Sequence, residues 1–196
     1  GIEMGDLSGG MFDITIGKVS SLWNFNGDDP KVPEQSDLND ALTTVGYKNI
    51  VIDGSSVSLK NPRAELDLGG VAKGYIADRV CDYLEKQGVE KAVINLGGNV
   101  AVLGEKDKDT PWNIAIERPY SDRTEMMGYV SVKDATVVTS GIYERKFEQD
   151  GVLYHHVLDP HTGYPVDSDL EAVTIRAARG NSGFCDGLST VCLMLG

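Results

Sequence analysis

The sequence is poor in sulfur, in positive charge and in long apolar runs, and each shortage removes a class of protein. Three cysteines occur, Cys81, Cys185 and Cys192. An odd number without metal-type spacing does not make a disulfide framework, so all three read as small buried hydrophobes. That leaves the compartment open, because a protein outside the cytoplasm can also lack bridges. Lys and Arg number 18 against 30 Asp and Glu, a net charge of −12. Such a surface repels polyanions, which speaks against nucleic acid and anionic membrane as partners. Any phosphate-bearing ligand therefore needs local cations, from side chains or from a metal. No apolar run approaches the roughly 18 residues of a membrane span, and no signal-peptide pattern is present. Repeats and low-complexity tracts are missing too. Both ends, GIEMGDLSGG and STVCLMLG, read as cut edges of a longer protein.

What remains is an ordinary globular profile, 41% hydrophobic and 24% charged over 196 residues. A chain this long buries about 70% of its unfolded surface, enough for a true core, and reads as a single domain over residues 1–196. Residues 36–46 predict a helix capped by Ser36 and closed by Gly46, with Leu38, Ala41, Leu42 and Val45 on one face. Two strands flank an Asp53-Gly54 turn. AELDL predicts a strand leading into Gly69-Gly70. The helix after it carries an apolar stripe of Ile76, Val80, Tyr83 and Leu84. KAVINLGGNVAVLG reads as strand, glycine break, strand. WNIAIERP, GYVSVKD, ATVVTSG and LEAVTIRAA read as further strands. YERKFEQ-DG-VLYHHV reads as a hairpin with Asp150-Gly151 at its tip. A last helix starts near Asn181 or Ser182. NGDDPKVPEQS, with two prolines, reads as a surface loop. Strands in runs joined by tight turns predict an α+β fold, mainly antiparallel sheet with flanking helices.

The stretch ELDLGGVAKGYIADRV places two glycines, a lysine and a helix start together. It is not a Walker loop, because Tyr75-Ile76 stands where Lys-Ser/Thr belongs, and G-x-G-x-x-G is missing. Backbone N–H groups at a helix N-terminus still suit an anion. Lys73 in a first helical turn opposes the dipole, and an anion nearby rationalises it. The alternative is a tight turn with a solvated lysine. Asp186 and Thr190 lie i, i+4 on the last helix, so both oxygens share a face. A lone carboxylate with a hydroxyl suits Mg²⁺, which completes its shell with water and substrate phosphate. The alternative is an aspartate placed for the helix dipole. Amides at Asn95 and Asn99 either pair with a nucleotide or close a turn. Thr139-Ser140-Gly141 offers hydroxyls to a phosphate or simply ends a strand. His155 and His156 alternate, so one of them faces the inner side of the hairpin. His161 reads as a solvated turn residue, and Trp23 and Trp112 read as core.

DLGGVAKGYIAD resembles the signature of the ApbE-type FAD:protein FMN transferases. SGGMFDITIGKVSSLWNF (8–25), VINLGGNVAVLG (93–104), VVTSGIYERKF (137–147), YHHVLDPHTGYPV (154–166) and CDGLSTVCLMLG (185–196) resemble that family's other segments, in order. The resemblance departs at the ends, where the family has an N-terminal strand and helix and a further C-terminal segment. It implies an ApbE-like fold, FAD as substrate and Mg²⁺ as cofactor. It implies metal ligation by Asp186, Thr190 and the backbone carbonyl of Gly70. It implies nucleotide contacts at Met11, Phe12, Asp13, Asp67, Lys73, Asn99, Ser140 and Val157. His156, not His155, matches the family's histidine and is the candidate base; with Asp186 it makes up the expected catalytic pair. The implied reaction moves FMN from FAD to a Thr or Ser hydroxyl of an acceptor flavoprotein subunit and releases AMP. FAD hydrolysis to AMP and free FMN, or FAD binding without catalysis, are the alternatives. Family members work outside the bacterial cytoplasm, often as lipoproteins, so the expected address is periplasmic or cell-surface.

Overall fold

Asn99–Leu103 is buried at every position, and one sheet is built around it. The computed structural model describes residues 1–121 and 125–196. In chain order its elements are α1 (Ile2–Leu7), α2 (Gly17–Trp23), α3 (Gln35–Leu42), a 3₁₀ turn (Tyr47–Asn49), β1 (Ile50–Asp53), β2 (Ser56–Leu59), α4 (Ala72–Lys86), β3 (Ala92–Asn95), β4 (Asn99–Leu103), β5 (Trp112–Glu117), β6 (Met126–Val132), β7 (Ala135–Gly141), β8 (Lys146–Gln149), β9 (Val152–His155), β10 (Ala172–Ala178) and α5 (Ser182–Leu195). Every strand pair among the described residues is antiparallel, as the turn-rich pattern predicts. The fold is α+β. Its contacts group into two compact units, each interrupted in sequence.

One unit spans residues 69–141 and 170–193. Its four-stranded sheet runs β10-β7-β4-β3. Side chains alternate across β4. Val100 and Val102 pack with Val137, Ala135 and Val132, against Trp112, Ile114 and Val130 of the β5–β6 hairpin. Ala101, on the other face, meets Ala77 and Cys81 of α4. The α4 stripe expected from large apolar residues is not the buried one. Gly74, Ala77, Asp78 and Cys81 are buried, while Ile76 and Tyr83 are exposed. Small residues face inward because the helix lies close to its neighbours, and no bulky side chain fits there.

The other unit spans residues 1–68, 142–169 and 194–196. Val19 and Trp23 of α2, Leu38 and Ala41 of α3, and Leu158 form its core. Trp23 is fully buried and donates its indole N–H to the Gly163 carbonyl at 2.8 Å. Phe25 stacks on it at 5.6 Å, with Phe147, Tyr154 and Tyr164 around the same ring. Both tryptophans are thus core residues, Trp112 by its place on the valine cluster.

Some local expectations shift. Helix α3 starts at Gln35 with Glu34 at its cap, without a Ser36 cap, and ends at Leu42. Gly46 instead opens the 3₁₀ turn. AELDL is not a strand: Glu65 makes one isolated bridge with Ile16, and Asp67 N–H donates to the Ile14 carbonyl. The first hairpin turns on Gly54-Ser55, because Asp53 pairs with Ser56. The Asp150-Gly151 turn is as expected, with φ of 53° and 76°, both positive as a type I′ turn demands. All three cysteines are free. No helix among the described residues is long and apolar enough to cross a membrane.

Candidate functional site

Helix α4 begins directly after the Gly69-Gly70 turn, with Val71 at its cap and no side-chain cap hydrogen bond. Its first-turn N–H groups need outside partners. Gly74 N–H finds Asp186 Oδ2, a residue of α5, at 2.9 Å. The carboxylate reaches it because the two helices cross on glycine. A Cβ on Gly74 would run into the Ser182 carbonyl and lie 2.7 Å from Gly183 Cα; one on Gly183 would lie 3.2 Å from Tyr75 N. Lys73 donates to the Gly97 carbonyl at 3.1 Å. That carbonyl belongs to the β3–β4 turn, where Gly97 and Gly98 take φ of 63° and 85° that favour glycine. Asn95 Oδ1 accepts from Gly97 N–H at 3.1 Å, so this amide closes the turn.

Asp186 is only 2% exposed. Burial pushes its carboxyl above the ordinary carboxylate value, against the pull of the Gly74 N–H, the Lys73 ammonium and the Asn99 amide. Thr190, one turn on, donates to the Asp186 carbonyl at 3.3 Å. Its Oγ1 lies 3.5 Å from Ser140 Oγ, which is 2.7 Å from Ser189 Oγ. The i, i+4 spacing thus brings Asp186 and Thr190 to one face, and β7 delivers Ser140 to it. Asp186 supplies a carboxylate and Thr190, one turn on, a hydroxyl, oxygen donors of the kind a hard cation takes. Gly70 lies in the turn just before the cap of α4. The Asn99 side chain supports this arrangement from beneath instead of lining it. It has no exposed surface, and its Oδ1 accepts from Ser182 Oγ at 2.6 Å. Asn99 Nδ2 has no hydrogen-bond partner of ordinary geometry, although the amide is near enough to favour the Asp186 carboxylate.

The remaining candidates belong to the other unit and fall in three places. Asp13 is buried, and both its oxygens are engaged: Oδ1 accepts from Thr15 N–H and Oγ1, Oδ2 from Tyr47 N–H. It acts as the clamp of its loop. Phe12 is buried beside it, with its N–H on Ser8 Oγ, and Met11 is half-buried. Asp67 Oδ2 accepts from Ser20 Oγ at 2.9 Å. His156 follows β9, half-buried, with Nδ1 3.2 Å from the Arg145 carbonyl. A carbonyl only accepts, so in the neutral ring Nδ1 carries the proton and Nε2 the lone pair. Val157 is buried and its carbonyl accepts from Val166 N–H. His161 is exposed and folds onto Asp159 of its own turn.

Sequence reasoning missed Asp78 and Ser182 at the helix crossing, and Ser189, which pairs with Ser140. The available signal was the i, i+3, i+4, i+7 run of Gly74, Ala77, Asp78 and Cys81. It also left open which histidine is buried. That is His155, whose ring hydrogen-bonds the Val166 backbone while its Nδ1 lacks a partner. Burial lowers its pKa below 6.5. The unfolded chain therefore takes up this proton first as pH falls, so the stability from a neutral His155 is complete above about pH 6.5 and lost below it. Urea midpoints at pH 7.5 and 5 should differ less in His155→Leu than in wild type. An equal difference would remove His155 as the source.

The site thus sits in an α+β protein whose four-stranded antiparallel sheet carries two helices joined by an aspartate on a glycine-rich helix start. The family model described as the ApbE family matches residues 1–196, and the chain belongs to that family. It is 46% identical over 166 residues to the FAD:protein FMN transferase of Klebsiella pneumoniae, covering 84% of this chain and 51% of that protein. It is 37% identical over 204 residues to the one from Treponema pallidum, covering 96% and 56%. The crystal structure of the ApbE protein of Thermotoga maritima matches with a TM-score of 0.87 at 36% identity, covering 98% of this chain and 62% of that one. The chain thus spans about half the length of the curated relatives it matches.

Proposed function

We propose that this chain carries the transfer site of a Mg²⁺-dependent FAD:protein FMN transferase. The observation that supports it most is the buried Asp186 carboxylate held on the first turn of α4, with Thr190 one turn on along the same helix. A carboxylate with so little water is costly to ionise unless a cation joins it. Asp186, Thr190 and the Gly70 carbonyl would hold Mg²⁺, leaving positions for water and diphosphate oxygens. Among the described residues no three His, Cys, Asp or Glu side chains cluster as a metal cage, which suits an ion completed by its substrate. The ion would supply charge neutralisation at the diphosphate.

In this reading Lys73 turns from the Gly97 carbonyl to a diphosphate oxygen. A Thr or Ser oxygen of an acceptor flavoprotein subunit attacks the FMN phosphorus in line. The bond from that phosphorus to the bridging oxygen breaks, and AMP leaves with the oxygen. His156, with its lone pair on Nε2, accepts the hydroxyl proton. An extracytoplasmic address belongs to the same proposal.

Incubation with FAD, Mg²⁺ and a threonine-bearing acceptor domain should give AMP and a fluorescent acceptor in equal amounts. AMP without a labelled acceptor would make water the nucleophile, and bound FAD without either product would make the chain a binder. Lys73→Ala should weaken FAD binding about tenfold at low salt, the worth of one charge-assisted contact, and less at high salt. Equal affinities by fluorescence titration at low salt would detach Lys73 from the diphosphate.

A further inference from the structure

Asp78 takes no part in the reading above, yet it is the mirror image of Asp186. Its Oδ2 accepts from Gly183 N–H, in the first turn of α5, at 3.0 Å. Asp186 Oδ2, on α5, accepts from Gly74 N–H, in the first turn of α4. Each helix thus lends a carboxylate to the start of the other. The two bonds close a ring: Gly74 to Asp186, one turn back along α5 to Gly183, across to Asp78, and one turn back along α4 to Gly74. The start of α5 is also held to the sheet, where Ser182 Oγ donates to Asn99 Oδ1 and accepts from Thr136 Oγ1, but the two carboxylate bonds run directly from helix to helix across a glycine-on-glycine crossing.

Asp78 is 94% buried, being 6% exposed, and its Oδ1 has no hydrogen-bond partner. A carboxylate so placed is a poor choice for stability alone, since leaving one oxygen unpaired in the interior is unfavourable. Its placement makes sense as a fixed acceptor at the helix start. We propose that Asp78 is a positioning residue: by anchoring the first turn of α5 it sets the direction of the Asp186 carboxylate and so tunes cation affinity at that carboxylate. The inference rests on the metal reading above. It concerns a residue that touches neither cation nor nucleotide and acts through the peptide of Gly183. Groups of this kind, one step removed from a metal, commonly change affinity 10–100-fold when altered.

The test is Mn²⁺ binding to the whole chain, followed by the EPR signal of the free ion, in wild type, Asp78→Ala, Asp78→Asn and Asp186→Asn. Asp78→Ala should bind Mn²⁺ about tenfold or more weakly. Asp78→Asn should stay within about threefold of wild type, because an amide oxygen caps a helix as a carboxylate does. Wild-type affinity in Asp78→Ala would overturn the proposal. So would an Asn variant as weak as the Ala variant, because the acceptor would then not be what matters. Loss in Asp186→Asn with none in Asp78→Ala sinks this inference alone, whereas no loss in Asp186→Asn sinks the metal reading and this inference with it. Should Asp78→Ala fail to fold, amide exchange of the wild type decides. The ring opens as one unit, so Gly74 and Gly183 N–H should exchange at a common rate, and clearly different rates would overturn the proposal.

Discussion

Asp186→Asn should lower Mg²⁺-dependent AMP release from FAD by about 10²–10³-fold, the scale of losing one preorganised electrostatic group. The amide oxygen still accepts from Gly74 N–H, so the crossing of α4 and α5 stays closed and only the charge is lost. The same variant carries a stability signature of opposite sign. Burial raises the Asp186 carboxyl above 3.8 in the folded chain. The folded state therefore holds that proton more tightly than the unfolded one, and stability falls as pH rises through the raised value. At neutral pH without divalent cation, Asp186→Asn should melt higher than wild type, and the gap should close in acid. Added Mg²⁺ should raise the melting temperature of the wild type and leave the variant unmoved. A variant that melts lower at pH 7 and still responds to Mg²⁺ would put the cation elsewhere.

Gly74→Ala should be among the most damaging single-methyl additions in the chain. The new Cβ would meet backbone only, the Ser182 carbonyl and Gly183 Cα at 2.7 Å, with no flexible side chain to give way. Overpacking of this kind costs about 3 kcal/mol or more, a loss of roughly 6–12 °C in Tm for a chain of this size. Because the helices must part, Gly74 N–H and Asp186 separate too, so cation affinity should fall with stability. A calorimetric Tm within a degree of wild type would mean that the two helix starts lie farther apart than described.

The sheet was legible in the sequence because its strands obey rules that act within a few residues. β7 is ATVVTSG as read, β4 is an apolar run bounded by glycines, and the Asp150-Gly151 hairpin follows from two positions that need positive φ. The Asp186–Thr190 face was legible from helix geometry alone. The inward face of α4 was not. Hydrophobic periodicity assumes that large apolar residues point to the core, whereas here Gly74 and Asp78 meet the start of α5, Ala77 and Cys81 lie on β4, and Ile76 and Tyr83 are left in solvent. Asp13, a nucleotide contact by resemblance, has Oδ1 on Thr15 and Oδ2 on the Tyr47 N–H. Its partners Thr15 and Tyr47 include one 34 residues away, and no local pattern announces such a bond. AELDL reads as a strand leading into Gly69-Gly70, but among the described residues Glu65 makes a single isolated bridge, with Ile16.

The most direct measurement is anomalous scattering from crystals of the chain soaked with FAD and Mn²⁺. A peak about 2.0–2.3 Å from an Asp186 carboxylate oxygen, with a diphosphate oxygen of the nucleotide on its other side, is the expected result. A nucleotide whose diphosphate lies away from Asp186, with no cation joining the two, would contradict the account.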